Sequence, residues 1–333
     1  MDPGDQVGPL RRVLGNLGGA DLLDVLADRL SGADLTSLLL EVMRRRTGRL
    51  SPADVLRQYR TDRFVSPATI NVRDLRRVED AMFGALPDGF DVLTLATVLP
   101  LGAHSAVAAV DPRNVITTVR RTDVAADPTN GLALEAAVRR HRLLDASPRS
   151  AEPVRLAASQ RVTRAQLFDG PISFAHFQLL GAVTAGRDTG SHEFERTHLI
   201  EHLRLAVGGL RAAGVGAVKI AITRLDDAAT GILAAVEQEF ARVCGVHVAD
   251  APERGSGRAY YRCLCFKVYA TIAEPAPSSG FSRAEAEPIE ISDGGFVDWT
   301  AKLLGNRKER LLISGHGLDR LAIMTTRSAA PQP

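Results

Sequence analysis

The chain has 333 residues, of which 45% are hydrophobic and 24% charged, and its formal net charge is +2. These values are typical of a globular protein with one large domain or two smaller ones, and they provide no strong field for binding nucleic acid or a membrane. The cysteines (Cys244, Cys263 and Cys265) form no CxxC pair, which disfavours a disulfide framework or a four-cysteine zinc site and favours the cytoplasm.

The first 66 residues are predicted to form a helical extension. Apolar residues recur at helical spacing from Ala20 to about Arg60. Asp34 is a candidate N-cap, and Ser51-Pro52 is typical of a further helix start. The arginines at 44–46 suit the negative end of a helix dipole, so we expect a solvated helix end there rather than a nucleic-acid site.

Beyond Ser66-Pro67 long strands alternate with only occasional helices. The predicted strands are 90–102, 105–111, 114–121, 154–164, 174–186, 217–223 and 260–272, and the predicted helices are 72–85, 132–142, 193–213 and 228–243. This order indicates an α+β fold with an antiparallel sheet flanked by helices over residues 67–327. Residues 274–282 are typical of a linker, and 328–333 are predicted to be a disordered tail.

One segment near the C-terminus carries a candidate phosphate-binding pattern. Gly315, Gly317 and Arg320 form a GxGxxR string between a predicted strand and a predicted helix. Glycine permits a close backbone approach, and an arginine at such a junction is suited to binding phosphate oxygens. The strand at 153–166 and the return strand at 176–186 precede it.

Together these segments resemble motifs 2 and 3 of the class II aminoacyl-tRNA synthetases, most nearly the histidyl-type enzymes and their paralogues. The matching positions are Pro153, Arg155, Leu156, Arg164 and Gln166, then Phe177, Leu180 and Gly181, then Gly315, Gly317 and Arg320. Two more blocks follow the family's order, with Asp127 and Thr129 in its substrate loop and Tyr260, Tyr261, Gly294 and Gly295 in its later strands. The resemblance covers about 73–325 and implies a sheet of six or seven strands and a homodimer through 73–100.

The resemblance also implies adenylation with ATP and Mg²⁺. Arg164 would bind the α-phosphate, Arg320 the γ-phosphate and Phe177 the adenine, while Gln166 stands where the family has Glu. Fixed guanidinium groups suit the charge that develops when a carboxylate attacks the α-phosphorus. Mg²⁺ would bridge the phosphates, since no side-chain metal motif is present.

Departures from the family pattern concern the substrate. Asp127 and Thr129 would hold an α-ammonium group, but Leu179 and Val183 replace the Gln and Glu that bind imidazole. Histidine is therefore disfavoured, and an apolar or aromatic amino acid or simple core packing are the alternatives.

The family's catalytic arginine position is occupied by Ser256, so Arg254 or Arg258 would have to replace it through a shifted loop. Phe296 replaces the arginine that follows the two glycines. Loss of the catalytic arginine and of the motif-2 Glu, replaced by Gln166, favours a catalytically inactive regulatory paralogue, similar to the histidyl-like subunit of ATP phosphoribosyltransferase, whereas retention of Arg164 and Arg320 favours a ligase.

The leading hypothesis is ATP-dependent activation of a small carboxylate, an amino acid other than histidine, for transfer to a non-tRNA acceptor. Because the sequence stops shortly after Arg320, we expect no anticodon-binding domain and no conventional tRNA charging. The N-terminal helices are a candidate surface for a protein partner.

Two further patterns have ordinary explanations. His198, Glu201 and His202 spell HxxEH, which is expected to form a solvated helix face rather than a zinc site. Cys263 and Cys265 lie two apart in a predicted strand and are expected to be small core residues.

Overall fold

The computed structural model describes residues 7–17, 19, 21–166, 174–227, 229–255, 258, 260–271 and 288–329. The helices are α1 (Val7–Asn16), α2 (Asp21–Asp24), α3 (Gly32–Thr47), α4 (Pro52–Thr61), α5 (Val72–Gly84), α6 (Pro128–Ala146), α7 (Glu193–Ala212), α8 (Ala229–Phe240), α9 (Trp299–Leu303) and α10 (Leu318–Ala329). The strands are β1 (Asp91–Val92), β2 (Val98–Pro100), β3 (Thr122–Val124), β4 (Val154–Thr163), β5 (His176–Arg187), β6 (Ala217–Arg224), β7 (Val246–Asp250), β8 (Arg262–Thr271), β9 (Ile289–Val297) and β10 (Glu309–Gly317).

The chain divides into two compact units. One unit, called here the helical unit, is Met1–Asp62 with Thr117–Thr122, and the other, the sheet unit, is Arg63–Ile116 with Asp123–Pro333. Within the described residues, no helix combines the length and the hydropathy needed to cross a bilayer.

Local capping defines the helices of the helical unit. The Ser31 hydroxyl accepts a hydrogen bond from the Asp34 backbone amide, so Ser31 is the N-cap of α3 and the prediction of Asp34 is wrong by three residues. At α4, Ser51 and Asp54 form a reciprocal capping box ahead of the predicted start at Pro52. No residue of α2, α3 or α4 is buried.

The sheet unit is built on an eight-stranded sheet in the order β1-β4-β5-β10-β9-β8-β6-β7. Its six inner strands pair antiparallel, while β1 pairs parallel with β4 and β7 pairs parallel with β6. The predicted fold class is confirmed, although the two parallel edge strands give more strands than the six or seven expected.

Helices cover both faces of this sheet. Along β5, Leu180 and Ala182 pack in the cluster that includes Leu203 of α7, whereas Val183 packs in the cluster that includes Leu132 of α6. This alternation follows from the two-residue repeat of a strand, which sends successive side chains to opposite faces. The functional site described below lies on the α6 face.

The segment between β2 and α6 differs from the prediction. Residues 103–107 form a π-helical turn after Gly102, whose φ of 87° favours glycine, and Pro112–Asn114 form a 3₁₀ turn, so strands at 105–111 and 114–121 are wrong. The Asp123 carboxylate accepts a hydrogen bond from the Gly102 amide at 3.0 Å, which fixes the turn through a contact distant in sequence.

At the C-terminal end, α10 continues to Ala329, two residues into the predicted tail, and 330–333 lie outside the described residues. The linker predicted at 274–282 lies outside them as well.

Candidate functional site

A cavity of about 530 Å³ opens on the α6 face of the sheet unit. Its walls come from the N-terminus of α6, the ends of β4 and β10, and parts of β5, β8 and β9. The predicted site residues that line it are Asp127, Thr129, Arg164, Gln166, Phe177, Leu179, Tyr260, Tyr261, Gly315, Gly317 and Arg320. Residues that are far apart in sequence are thus brought to one cavity large enough for a small-molecule ligand.

Arg164 follows β4 and contacts Ala126, Asp127 and Phe177. Its Nε donates to the Ala126 carbonyl at 2.9 Å, and its Nη2 donates to Asp127 Oδ2 at 3.0 Å. The guanidinium carbon lies 5.1 Å from the centre of the Phe177 ring, within the range of a cation–π contact. The cation therefore lies between a carboxylate and an aromatic face.

Asp127 is the N-cap of α6. Its Oδ1 accepts hydrogen bonds from the Thr129 amide at 2.9 Å and from the Thr129 hydroxyl at 2.7 Å, while its Oδ2 accepts from Arg164. A carboxylate in this position suits the positive end of the helix dipole. It also directs negative charge toward the cavity, where a cationic group of a ligand could bind.

Arg320 lies in the first turn of α10 and is exposed. Its Nη1 donates to the Glu290 carbonyl at 3.1 Å, and the Glu290 carboxylate pairs with Lys267 Nζ at 2.6 Å. A methyl group added at Gly315 would meet no atom within 4 Å, so this position of β10 borders open cavity. Arg320 and Lys267 supply two further cations to the cavity.

Arg254 is the arginine that enters the cavity from the segment before β8. Its side chain is only 5% exposed, its Nη2 donates to Asp293 Oδ2 at 2.6 Å, and its guanidinium lies 5.2 Å from the Tyr261 ring centre. The Tyr261 hydroxyl donates to the other oxygen of Asp293 at 2.6 Å. Of the two arginines considered as replacements for the lost family arginine, Arg254 is the one in the cavity.

Desolvation perturbs this cluster. Burial opposes the charged form of Arg254, but Asp293 outweighs it, so the pKa of Arg254 lies above its usual value. Burial raises the pKa of Asp293 despite Arg254, and it raises the pKa of Tyr260 to about 12. Both tyrosines therefore keep their protons at neutral pH, since the pKa of Tyr261 is also raised by burial.

The carboxylates lining the cavity are each paired with a cation rather than clustered. The pairs are Asp127–Arg164, Glu290–Lys267, Asp293–Arg254 and Asp319–Arg161. In the part of the chain that the structure describes, no group of three or more His, Cys, Asp or Glu residues is placed to hold a metal ion.

Four predicted site residues do not line the cavity. Val183 is fully buried against α6. Gly294 and Gly295 allow close packing, because an added Cβ would lie 2.5 Å from the Ile313 carbonyl oxygen or 2.8 Å from Cys265. Arg258 is exposed and donates to the Pro252 carbonyl at 3.3 Å, and Ser256 lies outside the described residues.

The HxxEH side chains are not the solvated face that the sequence predicts. His198 Nδ1 contacts Glu201 at 2.8 Å, and Glu201 pairs with Arg155 at 2.9 Å. His202 is fully buried, with Nε2 3.0 Å from the Thr184 hydroxyl and Nδ1 2.8 Å from the Ser314 hydroxyl. The helix thus contributes a buried polar network on the sheet face opposite the cavity.

Sequence reasoning missed several cavity residues. They are His104, Asn130, Lys267, Glu290, Asp293 and Trp299. Two of them adjoin predicted motifs, since Asn130 follows Thr129 and Asp293 precedes the two glycines. His104 carried no such signal, because it lies between the predicted strands 90–102 and 105–111 and outside every motif.

The fold of the sheet unit is that of the class II aminoacyl-tRNA synthetases. One similar solved structure is an "ATP phosphoribosyltransferase regulatory subunit/histidyl-tRNA synthetase" from Bacillus halodurans C, with a TM-score of 0.56 and 15% identity over 78% of this chain and 81% of that one. Histidyl-tRNA synthetases from S. aureus (TM-score 0.54, 13% identity, 78% and 67%) and Nostoc sp. PCC 7120 (TM-score 0.53, 12% identity, 82% and 76%) are also similar. No family model and no curated protein matches the sequence. At these identities the likeness establishes the fold alone.

Proposed function

We propose that this protein is an ATP-dependent ligase that adenylates a small carboxylate, an amino acid other than histidine, for transfer to an acceptor other than tRNA. The observation that carries the proposal is the convergence of Arg164, Phe177 and Arg320 on a cavity that also holds Asp127. These residues supply cations for phosphates, an aromatic face for a base and an anion for an ammonium group. The nearly balanced charge of the chain supports the non-tRNA acceptor.

The phosphate chemistry assigns a different task to each arginine. A carboxylate oxygen of the substrate attacks the α-phosphorus, forming a C–O–P linkage while the bond to the bridging oxygen breaks and pyrophosphate leaves. Arg164 stabilises the negative charge on the equatorial oxygens of the α-phosphate, and Arg320 holds the γ-phosphate of the leaving group. Gln166 keeps a hydrogen-bonding amide at the mouth of this site.

The substrate end of the cavity supports an amino acid. Asp127 and the Thr129 hydroxyl would accept hydrogen bonds from an α-ammonium group, and the buried guanidinium of Arg254, which lines the same cavity, would donate to the carboxylate. Leu179, which lines the cavity, supplies no polar partner for an imidazole at the position where the family has one. Mg²⁺ would bind through the phosphates of ATP, where it would neutralise the charge of the leaving group.

Pyrophosphate exchange into ATP, measured across a panel of amino acids, tests the activity. We expect exchange with at least one amino acid and a loss of about 10²–10³-fold in both Arg164→Ala and Arg320→Ala, the effect of removing one transition-state donor. Arg196→Ala is the matched control, because Arg196 lies on the exposed face of α7 and pairs only locally with Glu193. Equal exchange in all four proteins would contradict the proposal.

Gly315 provides a test that removes no charge. Because a Cβ added at this position meets no atom within 4 Å beyond its chain neighbours, Gly315→Val is expected to fold and to occupy part of the cavity. ATP binding by calorimetry should weaken at least tenfold while the melting temperature stays within a few degrees. Unchanged ATP binding would place the nucleotide elsewhere.

The second candidate function is a catalytically inactive regulatory subunit. Gln166 replaces the family's Glu, and the fold is shared with the Bacillus protein whose title names a regulatory subunit of ATP phosphoribosyltransferase. Absence of exchange with every amino acid, together with no ATP binding, would favour this candidate. Retained ATP binding and exchange would exclude it.

A homodimer is the proposed assembly. The segment at 73–100, which resembles the family's dimerisation motif, and its flanks expose the apolar side chains of Val72, Val92, Val98 and Leu101. In a dimer through this segment these apolar side chains would be covered. Light scattering after gel filtration should give a mass of twice 35.7 kDa, and a monomer at micromolar concentration would contradict it.

A further inference from the structure

The cavity contains a buried amide that the proposed chemistry does not use. Asn130, in the first turn of α6, is 4% exposed and lines the cavity together with His104, which is 1% exposed. Among the described residues, Asn130 Nδ2 is a buried side-chain nitrogen without a hydrogen-bond partner. An unpaired buried donor is unfavourable, so a partner that arrives with a ligand would relieve this penalty.

The hydrogen bonds around His104 determine which way the amide faces. The Ala126 backbone N–H donates to His104 Nε2 at 3.3 Å, so the imidazole carries its proton on Nδ1. That proton is donated to Asn130 Oδ1 at 2.8 Å. The oxygen of the amide is therefore occupied by His104, and both hydrogens of Nδ2 remain as donors.

The neighbours of Asn130 identify the part of a substrate that would reach it. Asn130 is the third residue of α6, and Asp127 is the N-cap of that helix, so both side chains lie at the helix end that lines the cavity. Ala108, Tyr260 and Trp299 belong to one apolar cluster beside it, and the rings of Tyr260 and Trp299 stack at 6.3 Å. A side chain extending from an ammonium group at Asp127 would thus pass apolar walls and meet the donor.

We propose that Asn130 is a specificity-determining residue that selects substrates with an oxygen acceptor on the side chain, a carboxylate or an amide, over apolar substrates of the same size. The inference rests on the proposed function, because it takes the ammonium group to bind at Asp127. It replaces the expectation of an apolar or aromatic amino acid, since an apolar group beside Nδ2 would leave the donor unpaired. His104 is a positioning residue that holds the amide oxygen.

Matched amino acids test the inference in the absence of ATP. Calorimetric Kd values are measured for L-leucine, L-asparagine and L-aspartate, and for L-methionine, L-glutamine and L-glutamate, with the full chain. We expect the oxygen-bearing members of at least one set to bind tenfold or more tightly than the apolar member. Within that set, the comparison of amide with carboxylate identifies which acceptor the site prefers.

Variants of Asn130 separate side-chain recognition from other roles. Asn130→Ala should remove the preference while leaving the affinity for the apolar member within threefold, and Asn306→Ala, in a turn outside the cavity, should change nothing. Asn130→Asp keeps the acceptor for His104 and so preserves the fold if Asn130→Ala does not, yet its second carboxylate oxygen should repel the carboxylate member of the set, so that this member binds more weakly than the apolar one. His104→Phe should weaken the preference without removing binding of the apolar member.

Three results would overturn the inference. These are equal binding of polar and apolar members, a preference that survives in Asn130→Ala and Asn130→Asp, and no binding of any of the six amino acids. An equal loss for all members in Asn130→Ala would assign the amide to the α-carboxylate instead. Because binding is measured without ATP, a preference seen without pyrophosphate exchange would contradict the ligase and leave the role of Asn130 intact.

Discussion

The two units of this chain are stabilised by different means. In the helical unit, none of the residues in α2 to α4 is buried. Its helices are stabilised by serine N-caps and by exposed ion pairs such as Glu41–Arg44. In the sheet unit, two apolar clusters pack against opposite faces of the sheet. Isolated short helices are marginal in water, so we expect the sheet unit to have the greater free energy of unfolding.

The comparison also concerns charge. The sheet unit buries Arg140 and Glu309 completely, with two hydrogen bonds of 2.8 Å between them. The ion pair of the helical unit between Arg44 and Glu41 is short as well but mostly exposed. Solvent screening makes the exposed pair weak, whereas a buried charge without its partner is strongly destabilising.

The largest effect is expected at the buried ion pair. Arg140→Met leaves Glu309 buried without its partner, so the free energy of unfolding should fall by about 3–5 kcal/mol. Urea unfolding followed by the fluorescence of Trp299, the single tryptophan and a residue of α9, measures it. The double variant with Glu309→Leu should recover part of the loss, and a loss below about 1 kcal/mol in the single variant would contradict the assignment.

The next largest effect is the dependence of stability on pH. Burial lowers the pKa of His202 to about 3 and that of His316 to about 4, whereas both titrate near 6.5 in the unfolded chain. The unfolded state therefore binds more protons below pH 6.5, and stability falls as the pH decreases, by up to about 2 kcal/mol for each histidine between pH 6.5 and 5.

Urea unfolding at pH 7 and pH 5 tests whether the free energy of unfolding falls as the pH decreases. In His202→Gln the loss between the two pH values should be smaller than in the parent by about 2 kcal/mol. The pKa of Glu201 is lowered to about 2, because its contacts with His198 and Arg155 outweigh the effect of burial. Its contribution to stability is therefore lost only at lower pH and does not affect this comparison. An unchanged pH slope in the variant would contradict the burial of neutral His202.

A smaller effect is expected in the helical unit. Ser51→Ala removes the cap of α4 and should cost about 1 kcal/mol of local stability, because it leaves an amide of the first turn without its partner. Hydrogen exchange of residues 52–61 should accelerate about fivefold, while the Trp299 transition stays in place. A shift of that transition would show that the units unfold together.

The smallest effect is expected at the surface. Arg44→Ala breaks the bidentate contact with Glu41 and should change stability by less than about 0.5 kcal/mol. Circular dichroism during thermal unfolding measures it, with a high-salt sample as the control. A loss as large as that of Arg140→Met would refute the contrast between exposed and buried pairs.

Much of the cavity could be predicted from motif order. The GxGxxR string and the strand ending in Arg164 predicted that residues far apart in sequence would meet, and Gly315, Gly317 and Arg320 line the same cavity as Arg164 and Phe177. The prediction was possible because each motif places its functional residues on a strand or at the end of a strand. Antiparallel pairing of β4, β5 and β10 then brings these residues to the same cavity. The phosphate-binding roles of these residues remain a prediction.

Other positions could not be assigned from pattern alone. Leu179 and Val183 are four residues apart on one strand and face the same side, yet α6 covers Val183 while Leu179 borders the cavity. The alternation of side chains along a strand determines which face of the sheet a residue is on, but not which element packs against that residue. For the same reason Gly294 and Gly295, which match the family pattern, contact protein atoms instead of the cavity.

The sequence by itself determined the fold class, the order of the motifs along the chain and the start of α4 at Ser51-Pro52, because these depend on local periodicity and on residue types at fixed spacing. Only the tertiary structure decided that Arg254 rather than Arg258 enters the cavity and that the HxxEH side chains are buried. It also decided that His104 holds Asn130. The physical reason is that desolvation and hydrogen-bond pairing depend on which distant segments approach, and no local pattern encodes that approach.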